Sequence, residues 1–238
     1  MKNTRIVTIH QPETLPWMGF FNKMIMADHY IILDNVDFRK NYFQNRNQIL
    51  TKQGPSFLTV PIDCKKFKKI KDIRIVNQQK WQKKQLSSIA QSYSKSPFYN
   101  QHKDFLESLY TTEYVNLIDF NMDVITYVRK VLDISTPLSL ASNYEISTSS
   151  TELLLDLCKK ENATHYLAGK DGINYLEPEL FKSAGIEIVF QDFSVPEYKH
   201  FNQNMFFPYM SVFDLLFNHE SKEARILIES GDLLHERV

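Results

Sequence analysis

The segment RIVTIHQPETLPWMGFFNKMIMADHYIILD, residues 5–34, decides the fold predicted for this chain. Residues 5–10 alternate β-branched and polar side chains, as a half-buried strand does, and two prolines follow. Residues 17–27 carry apolar side chains at helical spacing, and residues 29–34 form an apolar run typical of a buried strand. Strand, turn, helix and strand within about 30 residues are the size of one βαβ unit.

A second unit of this kind is predicted near the other end of the chain. Residues 163–168 have the composition of a strand, residues 173–185 that of a helix ended by glycine, and residues 186–193 that of a strand. Two such units predict an α/β fold with a shared, mostly parallel, Rossmann-like sheet. We expect residues 1–238 to form a single α/β domain, with a largely helical insertion at about 79–134.

The remaining segments complete this outline. Residues 56–63 and 69–76 are predicted strands joined by a lysine-rich turn, and residues 151–162 are a predicted helix. Residues 206–218 and 222–230 are predicted helices of the tail. The sequence shows no internal repeat and no low-complexity segment.

Composition excludes several broad classes of protein. Lysine plus arginine and aspartate plus glutamate number 28 each, so nothing global indicates a nucleic acid or an anionic membrane as partner. Six glycines in 238 residues argue against a glycine-rich phosphate loop. Cys64 and Cys158 lie far apart, which favours a reduced, cytoplasmic protein. No apolar run reaches the length of a signal peptide or the roughly 20 residues of a membrane span.

The strand ends supply the first candidate site residues. Functional groups of parallel sheets gather at the carboxyl ends of the strands, where His10 and Gln11 follow the first strand. A histidine there can act as a general base or acid near neutral pH, and the Gln11 amide can orient a substrate. The alternative is a histidine that only hydrogen-bonds the following proline turn. Asp34, at the end of the second strand, is a candidate to hold a ribose hydroxyl or a metal.

Three consecutive polar residues form a second candidate group. Asn45, Arg46 and Asn47 are predicted to bind phosphate or carboxylate, with the Arg46 guanidinium as a planar fork. The alternative is an asparagine-rich turn with a solvated arginine. Two further positions are Lys170 and Asp171, which lie between two glycines at a strand-to-helix turn. A helix start there would favour an anion, whereas the alternative is an ordinary connecting turn.

Two more features have a functional and a structural interpretation. His200 lies in a long polar and aromatic segment, as a second site histidine or, in the interpretation we favour, as a surface residue. The segment KKFKKIK, residues 65–71, is typical of a solvated hairpin edge protected against aggregation, and contact with RNA is the less favoured alternative. No His, Cys or Asp cluster has the spacing of metal ligands, so we predict no metal, and the cofactor stays unknown.

Several ordered motifs resemble the WbqC-like protein family. They are HQPETLPWMGFFNKMIMADHYIILDNVDF, NRNQI, LTVPI, SYSKSPFY, CKKENATHYLAGKDGINYL and FPYMSVFDLLFN, from residue 10 to residue 218. The chain departs from the family pattern at Glu13 and Thr14, which replace the usual residues before LPW, at Gln85, where histidine is common, and at His219, where glycine is usual.

The resemblance implies a function in bacterial surface polysaccharide biosynthesis, O-antigen included. It suggests a glycine, aminoacyl or acyl transferase that forms an amide on an amino sugar, which we expect to be nucleotide-linked. In this hypothesis His10 is the base, Lys170 stabilises developing negative charge, and Gln11 and Asp34 orient hydroxyls. The donor is left open between a thioester, an aminoacyl-tRNA, and ATP with an acid. The alternatives are a non-catalytic protein that binds nucleotide sugars or acts as a scaffold, and an ATP-using ligase.

Overall fold

Nine strands and eight α-helices make up the part of the chain that the computed structural model describes, residues 4–201 and 203–231, Gln79 by its backbone only. The strands are β1 Ile6–His10, β2 His29–Ile32, β3 Arg46–Thr51, β4 Gly54–Thr59, β5 Ile62–Asp63, β6 Arg74–Ile75, β7 Leu138–Leu140, β8 His165–Ala168 and β9 Glu187–Phe190. The helices are α1 Met18–Ile25, α2 Trp81–Tyr93, α3 Tyr99–Thr111, α4 Leu117–Val131, α5 Ser150–Lys160, α6 Pro178–Ser183, α7 Val212–Asn218 and α8 Ser221–Ser230. None of the described helices is long and apolar enough to cross a membrane.

Five strands form one parallel sheet in the order β7-β2-β1-β8-β9. The chain runs outward from β1 through β2 to β7, then returns across the sheet to β8 and β9. The strand order therefore reverses between β1 and β8, and in open α/β sheets ligands bind in the crevice outside the carboxyl ends of the strands at this switch point. The predicted α/β fold with a mostly parallel sheet is confirmed.

Two apolar cores cover the two faces of the sheet. Tyr30 and Ile32 pack with α1 and with the helices inserted between β2 and β7, whereas Val7, Ile9 and Ile31 pack with α5 and α6. This division follows from the strand period of two, which sends alternate side chains to opposite faces. The same alternation places His10 on the face that α1 covers.

The segment between β2 and β7 contains a hairpin of β3 and β4, a short pair of β5 and β6, and helices α2 to α4. Two of its strands were missed. The sequence predicts no strand at β3, whose first residues are interpreted as an anion-binding group or, alternatively, an asparagine-rich turn. In the structure the buried Asn47 donates to the Leu15 carbonyl at 2.8 Å, so a polar residue fits inside the core. β7 has three residues, too few for a period to be recognised.

The helix predicted over residues 173–185 is shorter than expected. Residues Lys170–Asn174 form a 3₁₀ turn, and α6 begins only at Pro178. Proline disfavours a helical conformation in the residue before it and is well suited to the first helical position. Pro178 therefore separates the turn after β8 from the helix.

Candidate active site at the sheet switch point

His10 is the last residue of β1, and one of its ring nitrogens is hydrogen-bonded while the other keeps an available lone pair. Its Nδ1 lies 2.9 Å from the Gln11 carbonyl oxygen. Because a carbonyl oxygen only accepts, Nδ1 carries the proton and Nε2 keeps its lone pair. Nε2 lies 3.9 Å from Glu13 Oε1, and 32% of the side chain is exposed. The ring packs edge-on against Phe20 of α1, with centroids 5.3 Å apart.

Two buried ionisable side chains lie beside His10. Lys23 of α1 is 2% exposed, and its Nζ donates to the Ile9 carbonyl of β1 at 3.1 Å. Glu13 is 3% exposed, and its Oε2 has no hydrogen-bond partner. A buried charge or polar atom without a partner is costly, so an arrangement of this kind points to a site that a ligand completes.

Burial shifts the pKa of all three groups toward their neutral forms. Desolvation lowers the pKa of His10, less than for a fully buried ring because a third of the side chain is exposed; the charge on Lys23 adds to this effect and the hydrogen bond to Gln11 opposes it. It raises the pKa of Glu13 to about 8, against the charge of Lys23 and the Trp17 backbone N–H. It lowers the pKa of Lys23 to about 7, against the charge of Glu13. His10 is therefore neutral at neutral pH. The pKa values of its two neighbours, Glu13 and Lys23, lie close to neutral pH.

Gly169 places these groups at the switch point. This residue follows β8, and a Cβ added to it would lie 4.0 Å from Lys23 Nζ. Lys23 Nζ therefore lies between the carboxyl ends of β1 and β8, under a residue without a side chain. We call the site formed by His10, Glu13, Lys23 and Gly169 the switch-point crevice.

The loop that carries Glu13 is held from several sides. The Thr14 backbone N–H donates to the Phe43 carbonyl at 2.8 Å, and its hydroxyl lies 2.7 Å from Asn121 Oδ1 of α4. Leu15 has a left-handed backbone with φ of 48°, an uncommon conformation for a residue with a side chain. Such strain persists only where the surrounding structure fixes it, so Glu13 is preorganised beside His10.

Gln11 and Asp34 also lie at this edge, and both are already hydrogen-bonded. Gln11 Oε1 accepts from Gln44 Nε2 at 2.5 Å, a bond that does not engage the Gln11 amide N–H donors. Asp34 is 1% exposed, and its two oxygens accept from the Ser142 backbone N–H at 2.8 Å and the Ser142 hydroxyl at 2.6 Å. Asp34 therefore ties the end of β2 to the turn after β7.

Asn45, Arg46 and Asn47 do not form one group. The Nδ2 atoms of Asn45 and Asn47 donate to the carbonyls of Val60 and Leu15, at 3.1 and 2.8 Å. The Arg46 guanidinium lies 4.4 Å from the centre of the Phe57 ring. Successive side chains of a strand point to opposite faces, so Arg46 faces away from Asn47. Asn45 closes the open end of the hairpin, and Asn47 ties the hairpin to the loop that contains Leu15.

Lys170 and Asp171 are exposed in the 3₁₀ turn after β8, one strand away from His10. Their position at the carboxyl edge is the one predicted. The structure thus brings His10, Gln11, Asp34, Lys170 and Asp171 to one edge of the sheet, and leaves the hairpin residues and His200 in other places.

His200 is buried, so its interpretation as a surface residue is wrong. It is 3% exposed, and its Nδ1 donates to Asp214 Oδ2 at 2.7 Å. Its Nε2 accepts from the Phe207 backbone N–H at 3.1 Å, so no lone pair is left for a substrate. Asp214 also accepts from the hydroxyls of Tyr93 and Tyr198, each at 2.8 Å. This cluster fixes the long loop before α7.

Sequence reasoning missed Glu13 and Lys23. In the sequence, Glu13 stands out only as a departure from the family pattern. Lys23 had a usable signal, since it is the one charged residue within the apolar helix of residues 17–27. A helix that is apolar all round is buried, so a lone lysine in it had to be buried as well.

The side chains of the crevice can exchange protons with a substrate. No group of three or more His, Cys, Asp or Glu side chains among the described residues could hold a metal ion. His10 offers a lone pair, Glu13 a carboxyl group that titrates near neutral pH, and Lys23 an amine that does the same. These groups suit the removal and return of a proton on a polar substrate.

Comparison with known proteins supports one family. A model of the WbqC-like protein family matches residues 11–226, which include Glu13, Lys23 and Gly169. The uncharacterized protein Rv1507c of Mycobacterium tuberculosis is 31% identical over 217 residues, which cover 89% of this chain and 93% of that protein. No solved structure matches the chain significantly.

Proposed function

The chain belongs to the WbqC-like protein family, and we propose that it is a transferase that forms an amide on an amino sugar. The acceptor in this proposal is a nucleotide-linked amino sugar of bacterial surface polysaccharide biosynthesis, O-antigen included. The donor supplies a glycyl, aminoacyl or acyl group. The observation that carries the proposal is a neutral histidine with a free Nε2 at the switch point, beside two buried groups that titrate near neutral pH.

Amide formation needs the proton handling that these groups offer. The amine nitrogen of the sugar attacks the carbonyl carbon of the donor, and a base takes a proton from that nitrogen. His10 Nε2 is the base, because Nδ1 is committed to the Gln11 carbonyl. The imidazolium that forms is stabilised by Glu13 in its ionised form, since Glu13 Oε1 lies 3.9 Å from Nε2.

Other residues of the edge take supporting roles in the proposal. Lys23 and the exposed Lys170 stabilise the negative charge that develops on the carbonyl oxygen. Gln11 orients a sugar hydroxyl through its amide N–H groups. Asp34 positions the end of β2 through Ser142 and is no longer assigned to the chemistry. Asn45 and Asn47 are given a structural role in the hairpin, because their amide groups already donate to backbone carbonyls.

A combined binding and product screen tests the function. Nucleotide-linked amino sugars are first ranked by the rise they cause in melting temperature. Those that bind are incubated with a thioester, an aminoacyl-tRNA, or ATP with an amino acid, and the sugar is examined by mass spectrometry. We expect the sugar to gain the mass of the donor acid less one water, and the same sugar with its amine already acetylated to give no product.

Three results would overturn the proposal in different ways. Binding of the sugar without product from any of the three donors would instead support a non-catalytic protein that holds nucleotide sugars. ATP cleavage to AMP or ADP in step with product would support a ligase. A melting temperature that no amino sugar raises would contradict both the transferase and the binding protein.

A further inference from the structure

One surface of this electrically neutral chain is strongly basic. Eight exposed cations lie on two segments, residues 37–40 and 63–74, which hold only three carboxylates. We call this the basic surface: Arg39, Lys40, Lys65, Lys66, Lys68, Lys69, Lys71 and Arg74. Among these side chains, as far as the structure describes the chain, Lys69 alone pairs with a carboxylate, that of Asp37 at 2.9 Å. The other seven are available to an anionic partner.

The fold assembles this surface from separate stretches of chain. The Phe38 backbone N–H donates to the Lys68 carbonyl at 2.7 Å, and the Ile70 N–H donates to the Val36 carbonyl at 3.0 Å. These bonds lay Arg39 and Lys40 beside the lysine-rich connection between β5 and β6. Arg39 and Lys40 thus add a second group of cations beside the lysine run. A solvated hairpin edge that only avoids aggregation has no need of these additional cations.

The basic surface adjoins the switch-point crevice. The Lys71 backbone N–H donates to the Asp34 carbonyl at 2.8 Å, at the carboxyl end of β2. On the other side, the Arg39 N–H donates to Gln44 Oε1 at 2.6 Å, and Gln44 donates to Gln11, the residue after His10. Two short chains of hydrogen bonds thus connect the segments of the basic surface to the edge of the sheet that carries His10.

The surface offers charge and little apolar contact. The exposed large hydrophobic side chains of the described chain lie outside these two segments. Phe67 is half-buried and has Arg74 4.8 Å and Lys66 5.8 Å from its ring. A partner protein or a membrane would bring apolar contacts, whereas a phosphate backbone is bound mainly by such cations. Eight cations also exceed what one diphosphate needs.

We infer that the basic surface binds RNA and that the donor is an aminoacyl ester at the 3′ end of that RNA. This inference rests on the proposed function and names its donor. The amine nitrogen attacks the ester carbonyl carbon, a C–N bond forms, and the C–O ester bond breaks. The RNA leaves with a free hydroxyl that takes the proton which His10 removed from the amine, so no further reactant is needed.

Binding is tested by fluorescence anisotropy with a labelled, unacylated transfer RNA transcript. The variant Lys65→Glu/Lys66→Glu/Lys68→Glu should bind about tenfold or more weakly than the wild type, with a shallower dependence of affinity on KCl between about 50 and 200 mM. The matched control, Lys160→Glu/Lys182→Glu/Lys222→Glu, changes the net charge equally on exposed lysines of α5, α6 and α8. It should keep most of the wild-type affinity.

The outcomes separate the surface from the chemistry. Equal RNA affinity in the two triple variants would overturn the inference, and so would tighter binding of phosphatidylglycerol vesicles or of an acidic acyl carrier protein than of RNA. Product formed from a thioester, but not from aminoacyl RNA, would overturn the named donor while the transferase function stands. Product formed only from ATP and acid would overturn both in favour of a ligase. Product from aminoacyl RNA that the basic-surface variant forms more slowly supports it.

Discussion

Glu13 gives the crevice its sharpest dependence on pH. Its folded-state pKa, about 8, lies above its ordinary value of 4.5, so the folded protein binds the proton more tightly than the unfolded chain does. The stability that this group contributes is complete below pH 4.5 and is lost as the pH rises toward 8. The charge of Lys23 depends on that of Glu13, because an ionised Glu13 raises the pKa of Lys23.

We therefore expect Glu13→Gln to gain stability relative to the wild type as the pH is raised from 4.5 to about 8. Glutamine keeps the shape of the protonated acid and does not ionise. The measurement is the difference in melting temperature between variant and wild type across this range. Glu145→Gln, at an exposed glutamate, serves as the control and should give a flat difference. A flat difference for Glu13→Gln as well would contradict the assigned burial of its charge.

Gly19 allows the Trp17 ring to lie against the start of α1. A Cβ at this position would lie 2.3 Å from the indole, which Phe193 and Tyr209 contact from other sides at ring-centre distances of 5.5 Å. Gly19→Ala should cost roughly 1–3 kcal/mol in the free energy of unfolding, measured in urea. In a Trp17→Leu background the same change should instead stabilise, because alanine is the better helix former. The same sign in both backgrounds would refute the contact as the cause.

At the scale of elements, the Asp214 cluster holds the loop before α7 to α2 and α7. Asp214 is fully buried and accepts three hydrogen bonds, from Tyr93, Tyr198 and His200. Asp214→Asn replaces two acceptor oxygens with one and turns an amide toward these donors. We expect a loss of about 2–4 kcal/mol in the free energy of unfolding.

Limited trypsin digestion reports on the same loop. Lys199 precedes His200, so a released loop should be cut after Lys199 faster in Asp214→Asn than in the wild type, as read by mass spectrometry. Asp104→Asn, at an exposed site on α3, should change stability by less than about 0.5 kcal/mol. Cleavage at the wild-type rate in Asp214→Asn would show that the loop is held by something other than this cluster.

Which elements could be predicted depended on how locally they are encoded. β1, α1 and β2 follow from residues 5–34 alone, because apolar period and turn residues agree there. β3 was missed because its stability comes from distant partners, such as the Leu15 carbonyl that Asn47 binds. His200 was misjudged for the same reason, since its partner Asp214 is 14 residues away and belongs to a different element.

At the scale of the whole molecule, the strand order explains why the site lies where it does. Sequence predicted the edge on which His10, Asp34 and Lys170 lie, since carboxyl ends of parallel strands share an edge. It could not predict the switch point, because β7 was not recognised and the order of strands is a property of the assembled sheet. Lys23 and Gly169 meet only across that switch point.

Gly169 provides a test of the crevice that leaves the fold in place. Its backbone, with φ of −68° and ψ of 158°, is one that valine adopts readily, so Gly169→Val should fold with a melting temperature close to the wild type. Its side chain would fill the space above Lys23 Nζ, and we expect sugar binding to be lost, with a smaller effect for Gly169→Ala. Unchanged sugar binding by a folded Gly169→Val would show that the ligand binds outside the switch-point crevice.

The role of His10 as the base is tested most directly by the turnover of His10→Ala with the amino sugar and donor that the screen identifies. We predict a rate of amide formation about a hundredfold or more below the wild type, at an unchanged melting temperature. His165→Ala, at the opposite end of the sheet in the first residue of β8, should keep the wild-type rate. Amide formation by His10→Ala at the wild-type rate would contradict the account.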